Sequence, residues 1–259
     1  MDDTTIEALE FPAILEELSG FCLTSYGKER ALALAPLAGV HPIDEAFREY
    51  FELSSILKES GNLPLGGAAD LRPLLSKSMP PGAFFLPEEM LTVLGNLAVA
   101  ALLKAALTPA FEKRHTLTSA KLRAVSDEIE LYRELGRILD DKGQIKDDAS
   151  PELRRLRREL RAVKERARGL LDELLKDKTI KDALQEELVT IRDDRYVFMI
   201  KSGSHAAVHG IIHGQSGSGA TYFIEPMQLV EINNRLAIIG KEEKEEEIRI
   251  LKEATRFIL

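Results

Sequence analysis

The chain has no tryptophan, one cysteine in 259 residues, and only 6% aromatic content. A lone thiol, Cys22, cannot close an internal disulfide, so packing and polar contacts must hold the fold, and a reducing cytoplasm is the expected setting. Long apolar runs are missing too: none approaches the roughly 20 residues that a helix needs to cross a bilayer. The start, Met1-Asp2-Asp3, has neither the basic nor the apolar region of a secretory signal. Positive charge is in deficit, with 35 Lys and Arg against 43 Asp and Glu, a net −8. That excludes attraction of the whole surface to nucleic acid or anionic lipid and leaves only local patches. Proline is scarce in the second half: nine of the eleven lie at or before Pro109, and only Pro151 and Pro226 follow.

What is there follows from that uneven spacing. The first part is expected to be short helices between turns, over 6–18, 25–34, 43–59, 71–77, 87–106 and 117–139, with Ser25 and Asp44 as caps. Apolar content of 44% is enough for a real core. Residues 151–178 then carry Leu153, Leu156, Leu160, Val163, Ala167, Leu170 and Leu174 at alternating gaps of three and four, a heptad seam. Ser150 is placed to cap this helix and Pro151 fits its first turn. A rod of roughly 42 Å needs a partner, and the apolar set of residues 227–259 supplies one. Leu229, Ile232, Leu236 and Ile239 are out of phase with Ile248, Leu251, Thr255 and Ile258, so the seam is expected to slip across residues 240–247. The pattern reaches Phe257, Ile258 and Leu259 without a cap, which reads as a rod cut short. Between the rods, residues 189–192, 195–200, 208–213 and 220–224 read as strands, the first two joined at Asp193-Asp194.

Several constellations invite chemistry. Asp140, Asp141, Asp147 and Asp148 are acidic neighbours, but their spacing does not match the calcium loop that ends in Glu, and no metal site is assigned. Residues 214–221, Gly-Gln-Ser-Gly-Ser-Gly-Ala-Thr, keep the glycine spacing of a phosphate loop. Ala220 replaces its lysine, however, and a strand follows where a helix is required, so a turn is expected. His205, His209 and His213 recur every four residues. On a strand they would lie about 13 Å apart, too far to share zinc, so they read as a polar row open to phosphate, RNA or solvent. Within 154–168, Arg154, Arg155, Arg157, Arg158, Arg161, Lys164, Arg166 and Arg168 stand against only Glu159 and Glu165. This stripe either pairs with Glu242, Glu243, Glu245, Glu246 and Glu247 of the returning rod or meets nucleic-acid phosphates. No catalytic grouping stands out.

Longer stretches carry a resemblance. They are Leu9-Glu-Phe-Pro-Ala-Ile14, Thr24 through Gly27-Lys28 to Leu34-Ala-Pro36, Leu65-Gly-Gly67 with Asp70-Leu-Arg-Pro73, and Gly143-Gln-Ile-Lys-Asp-Asp-Ala-Ser150. Leu184-Gln-Glu186, Val189-Thr-Ile-Arg192, Arg195-Tyr-Val197, Gly210-Ile-Ile-His213, Ser218-Gly-Ala-Thr221, Ile224-Glu-Pro226 and Asn233-Asn234 complete the set. Over nearly its whole length the chain resembles the second branch of bacterial MutS-like proteins, MutS-II. That resemblance implies a mainly α fold: a helical core (1–145), an outgoing lever helix (146–187), a small β clamp-like module (188–225) and a returning lever (226–259), the levers forming a coiled-coil hairpin. Such relatives are homodimeric ATPases, often with a C-terminal Smr nuclease domain. They act on branched DNA to limit recombination, or on stalled ribosomes. Neither enzymatic motif matches here, so the segment is expected to be non-catalytic, with ATP and Mg belonging to the absent ATPase. The expected nucleic-acid contacts are Arg192, Arg195, Lys201, His205, His209 and His213 at the tip, and Arg154, Arg158 and Arg161 on the lever. The alternative is a scaffold for ribosome docking or dimerisation in a collided-ribosome rescue factor.

Overall fold

The computed structural model describes residues 3–61 and 63–259. It is mainly helical, with one four-stranded antiparallel sheet. Contacts divide it into two units, Met1–Ile145 with Leu251–Leu259, and Lys146–Ile250.

The first unit holds α1 (Asp3–Ala8), α2 (Phe11–Gly20), α3 (Ser25–Leu32), α4 (Val40–Ser60), α5 (Arg72–Leu75), α6 (Pro87–Ala105), α7 (Pro109–Arg114), α8 (Thr116–Arg123) and α9 (Ile129–Ile138). The helix expected over 6–18 is two, because Glu10 takes a left-handed φ of 49° and Pro12 starts a new turn. The helix expected over 117–139 is also two, broken before Glu128 at φ 25°. Thr24, not Ser25, caps α3, accepting from the Gly27 amide at 3.0 Å, and Asp44 lies inside α4 rather than at its end. Helix α7, unforeseen, begins in the expected manner: Pro109 in its first turn and the Thr108 hydroxyl accepting from the Phe111 amide. Ile56, Phe85, Met90, Leu135 and Ile138 are buried, and so are Leu251 and Ala254. Thr255 seals this core by accepting from the Phe85 amide at 2.8 Å. Gly143, at φ 77°, turns the chain so that Ile145 pairs with Leu139; a Cβ there would sit 2.9 Å from Leu91 Cδ1.

The second unit begins with α10 (Pro151–Leu174) and α11 (Lys178–Ala183), followed by β1 (Leu184–Arg192), β2 (Arg195–Lys201), a 3-10 helix (Ser202–Ala207), β3 (Gly210–Gln215) and β4 (Thr221–Pro226). Helix α12 (Met227–Ile258) contributes its residues through Ile250. The Ser150 hydroxyl caps α10, accepting from the Leu153 amide at 2.9 Å, and also meets Glu246 Oε1 at 2.5 Å. The rod expected through residue 178 stops at Leu174, because Asp177 caps a new helix, taking the Thr179 and Ile180 amides. Leu156, Val163 and Ile239 are buried together, with Leu160, Ile232 and Leu236 against them. Ser150 meets Glu246, Arg157 meets Glu243 and Glu159 meets Arg235, so α10 and α12 run antiparallel.

Of the second apolar set expected in α12, out of phase with the first, Leu251 and Thr255 are buried. Leu229, Ile239, Ile250 and Ala254 are buried, and the intervening seam positions are filled by Glu243, Glu246 and Glu247. Ile248, expected in the seam, is exposed. Carboxylates with partners occupy positions that a hydrophobic count treats as a gap.

The sheet order is β1-β2-β4-β3. Phe198, Ile200 and Ile224 pack with Leu171 and Leu174 of α10, Ile180 of α11 and Leu229 of α12, so the sheet covers one end of the helix pair. The β1–β2 turn places Asp193 and Asp194 at φ 47° and 59°, the primed geometry that suits a right-twisted hairpin. A Cβ at Gly210 would run into the Glu225 carbonyl oxygen, so only glycine lets β3 approach β4 there.

Candidate nucleic-acid interface

Arg157, Arg161, Lys164 and Arg168 recur at steps of four, three and four and therefore form one line along α10. The first two are consumed internally. Arg157 donates to Asp147 at 2.8 Å, Glu243 at 2.9 Å and Glu247 at 2.7 Å, and Arg161 donates to Asp147 at 2.8 Å. Hydrogen bonds from Arg161 and then Arg157 hold the Asp147 carboxyl below its usual range, against a weaker opposing effect of burial. Arg155 lies between Glu152 and Glu159, Glu159 also accepts from Arg235 Nε at 2.8 Å, and Arg154 approaches Asp148 at 3.7 Å. Arg158, Lys164, Arg166 and Arg168 have no ion-pair partner among the described residues. The stripe thus divides: of the lever residues expected to touch nucleic acid, Arg161 is tied, Arg154 loosely paired and Arg158 open.

The six residues expected at the tip have different surroundings. Arg195 donates to the fully buried Glu225 at 2.7 Å and to Asn234 at 2.5 Å, while His213 meets the other Glu225 oxygen at 2.5 Å. Asn233 completes this cluster, donating to Glu225 at 2.8 Å and pairing with the Tyr196 backbone amide and carbonyl, both at 3.1 Å. Burial alone would raise the Glu225 pKa; hydrogen bonds from Asn233, His213 and Arg195 outweigh it and the net shift is downward. Arg192 is exposed, its guanidinium 4.8 Å from the Phe223 ring centre. Lys201 reaches the Asp182 carbonyl at 3.2 Å. The row of histidines expected on one strand face is absent. His205 lies on the 3-10 helix beside the Tyr222 ring, His209 in the link before β3, and His213 is held in the Glu225 cluster. The glycine-rich stretch is a turn: the Ser216 amide donates to Thr221, and β4 follows, with no helix N-terminus to receive phosphate.

Near the β1–β2 turn the geometry converges differently. A cleft of about 540 Å³ opens between the hairpin and the two helices, with Leu160, Ile191, Tyr196, Leu236, Ala237 and Gly240 supplying its apolar surface. Lys164 of α10, Lys241 and Lys244 of α12, and Asp194 of the turn supply the charges. Lys164, Ile191 and Tyr196 also line an adjoining cleft of about 430 Å³, where Arg168 stands among Glu165 and Asp172. Sequence reasoning noted Lys164 and Arg168 within the stripe but passed over Tyr196, Lys241 and Lys244. The signal in α10 was the line shared with Arg157 and Arg161. On α12 the lysines sit within a glutamate-rich run that hides them.

The acidic neighbours before α10 serve as turn and pairing groups. Asp140 accepts from the Lys142 and Gln144 amides, at 2.9 and 2.8 Å, while Asp147 and Asp148 face arginines. Among the described residues no group of three His, Cys, Asp or Glu is placed to hold a metal ion, and no helix is long and apolar enough to cross a membrane.

No family model matches the chain. Its similarity to individual proteins is extensive. It is 32% identical to an endonuclease MutS2 of Halothermothrix orenii over 265 residues, covering all of this chain and 33% of that protein. It is 34% identical to an endonuclease MutS2 of Alkaliphilus metalliredigens with the same coverage, and 34% identical over 260 residues to a putative endonuclease MutS2 of Bacillus subtilis. The chain spans about a third of the length of these relatives. The similarity to these MutS2 proteins runs through both units and across the β module.

Proposed function

We propose that this chain is a non-catalytic, nucleic-acid-contacting segment of a MutS2-like protein, in which α10 and α12 act as levers and the sheet module as a clamp on branched DNA. The observation that carries the reading is the division of the α10 stripe. Internal pairing with carboxylates, the competing explanation of so many arginines, accounts for Arg155 and Arg157 through glutamates and for Arg161 through Asp147. It leaves Arg158, Lys164, Arg166 and Arg168 without described partners on a chain whose net charge is −8. Lys164 and Arg168 continue one line on α10, with Arg158 and Arg166 on other faces, and unneutralised cations on a helix are the means by which a protein holds phosphates without reading bases. The relatives are named as endonucleases; in this reading nuclease and ATPase work lie in the two thirds of such proteins that this chain does not span, with ATP and Mg needed only there. Dimerisation and suppression of recombination belong to that whole assembly.

The test is binding of this chain to a four-way DNA junction, a linear duplex of the same length and purified ribosomes over a range of salt. The expected result is a preference for the junction, with affinity falling steeply as salt rises. Ribosome binding without DNA binding would move the reading to a ribosome-rescue scaffold, and salt-independent self-association alone would overturn it.

A further inference from the structure

Resting on that reading, we infer that the cleft between the β1–β2 hairpin and the helix pair receives an unpaired nucleotide of a strand, its base against Tyr196 and Ile191 and its phosphates on Lys164, Lys241 and Lys244. Three features converge on this occupant. The volume, about 540 Å³, lies in the range of small-ligand sites and admits a base with its sugar, whereas a duplex is far too wide to enter. The Tyr196 ring is fixed from behind. Its backbone amide and carbonyl are both held by Asn233, and the ring rests on the module's core while lining both clefts. A held aromatic ring with an apolar neighbour is the platform on which single-stranded bases stack. Lys164, Lys241 and Lys244 outnumber Asp194 at the cleft, and neither Lys164 nor Lys244 has a described ion-pair partner. Lys241 is paired only loosely, 3.7 Å from Glu245 on an exposed face.

Charge alone would fit any phosphate, and an apolar floor alone would fit any greasy group. The two together, with an opening that continues into a second cleft past the shared Lys164, Ile191 and Tyr196, point to a strand passing through rather than a free nucleotide. Forked or gapped branches present unpaired bases beside a duplex, so the inference supplies a physical reason for preferring such branches: a duplex arm on the open cations of α10, an unpaired residue in the cleft.

The experiment measures fluorescence anisotropy of the whole chain with a labelled thymine 20-mer, an abasic strand of the same length and a 20-base-pair duplex. It uses the wild type, Tyr196→Leu, Tyr196→Phe and the double variant Lys241→Ala/Lys244→Ala, with circular dichroism as a check of folding. The thymine strand should bind about tenfold more tightly than the abasic strand, the scale of one base stacked on an aromatic ring. Tyr196→Leu should erase that difference, Tyr196→Phe should keep it, and the lysine variant should weaken both strands together. Equal binding of thymine and abasic strands by the wild type overturns the inference. So does a Tyr196→Leu protein that is folded and still prefers thymine, or binding of thymidine monophosphate as tight as that of the strand. If Tyr196→Leu fails to fold, the wild-type contrast of thymine with abasic strand decides alone. Salt-dependent junction or duplex binding without a base effect would remove the cleft proposal and leave the proposed function standing, whereas no binding of any nucleic acid would remove both.

Discussion

The two halves of α10 share one line of cations and give it opposite electrostatic fates, although residues 151–162 carry five arginines against two glutamates and residues 163–174 carry three cations against three acids. In the half beginning at Pro151, Arg157 sits among three carboxylates and Arg161 shares one of them. In the half ending at Leu174, Lys164 and Arg168 continue the same line without a described ion-pair partner. The difference comes from what lies opposite. Glu243, Glu246 and Glu247 of α12 occupy the seam against the first half, while Ile232, Leu229 and the sheet core lie against the second. A basic run on a helix therefore has no single meaning. Cations that face carboxylates across a seam specify register, and those that run past the carboxylates remain available to phosphate.

The comparison makes a double prediction: charge removal should cost binding at one end and stability at the other. The largest effect is expected for Lys164→Ala/Arg168→Ala/Lys244→Ala, which should lower affinity for a DNA junction about a hundredfold near 0.15 M salt and reduce the slope of log affinity against log salt by about 2–3. Its urea midpoint should stay close to wild type, since surface substitutions away from networks cost about 0.5 kcal/mol or less. A large loss of stability instead would mean that these cations are structural after all.

Next is Glu225→Ala, which leaves Arg195 and Asn233 facing a buried gap and should cost about 3 kcal/mol in urea unfolding. Because the Glu225 pKa is lowered on folding, its contribution is complete above the ordinary carboxylate range and is lost as pH falls through the lowered value. Wild type and variant should therefore converge in stability on acidification; a gap that persists would place the cost in packing rather than charge.

A smaller effect, about 1–2 kcal/mol of stability, is expected for Arg157→Ala, because its ion pairs are only partly buried. Junction affinity should change less than about twofold; a large loss would break the contrast between the halves. Glu243→Gln/Glu247→Gln should sharpen it from the other side, loosening Arg157 toward solvent and raising the salt slope of DNA binding by about 1. The smallest effect is local: Asp194→Gly, at φ 59°, should stabilise the hairpin by up to about 1 kcal/mol, read as a shift of the thermal midpoint.

Much of the fold was legible because it rests on local rules. Ser150 caps α10 as its position before Pro151 indicates, Leu153, Leu156, Val163, Ala167 and Leu174 are buried at their heptad positions, and four strands form with a turn at Asp193-Asp194. Failures came where a residue's partner is distant. The seam of α12 looked interrupted because Glu243, Glu246 and Glu247 are polar, and their partners Arg157 and Ser150 lie about ninety residues earlier. Nothing in the neighbourhood of His213 or Arg195 announces that both converge on buried Glu225.

The sequence by itself determined where α10 begins, which of its residues face inward, that four strands follow it, and that positive charge is concentrated on one helix of an acidic chain, because caps, periodicity and composition act over a few residues. Only the tertiary structure decided which of those cations are spent, that Tyr196 and the lysines of two helices meet in one cleft, and that the β1–β2 turn lies beside that cleft. Ion pairing and cavity formation depend on approach between segments far apart in the chain, and that approach is set by the packing of α10, α12 and the sheet rather than by any local pattern.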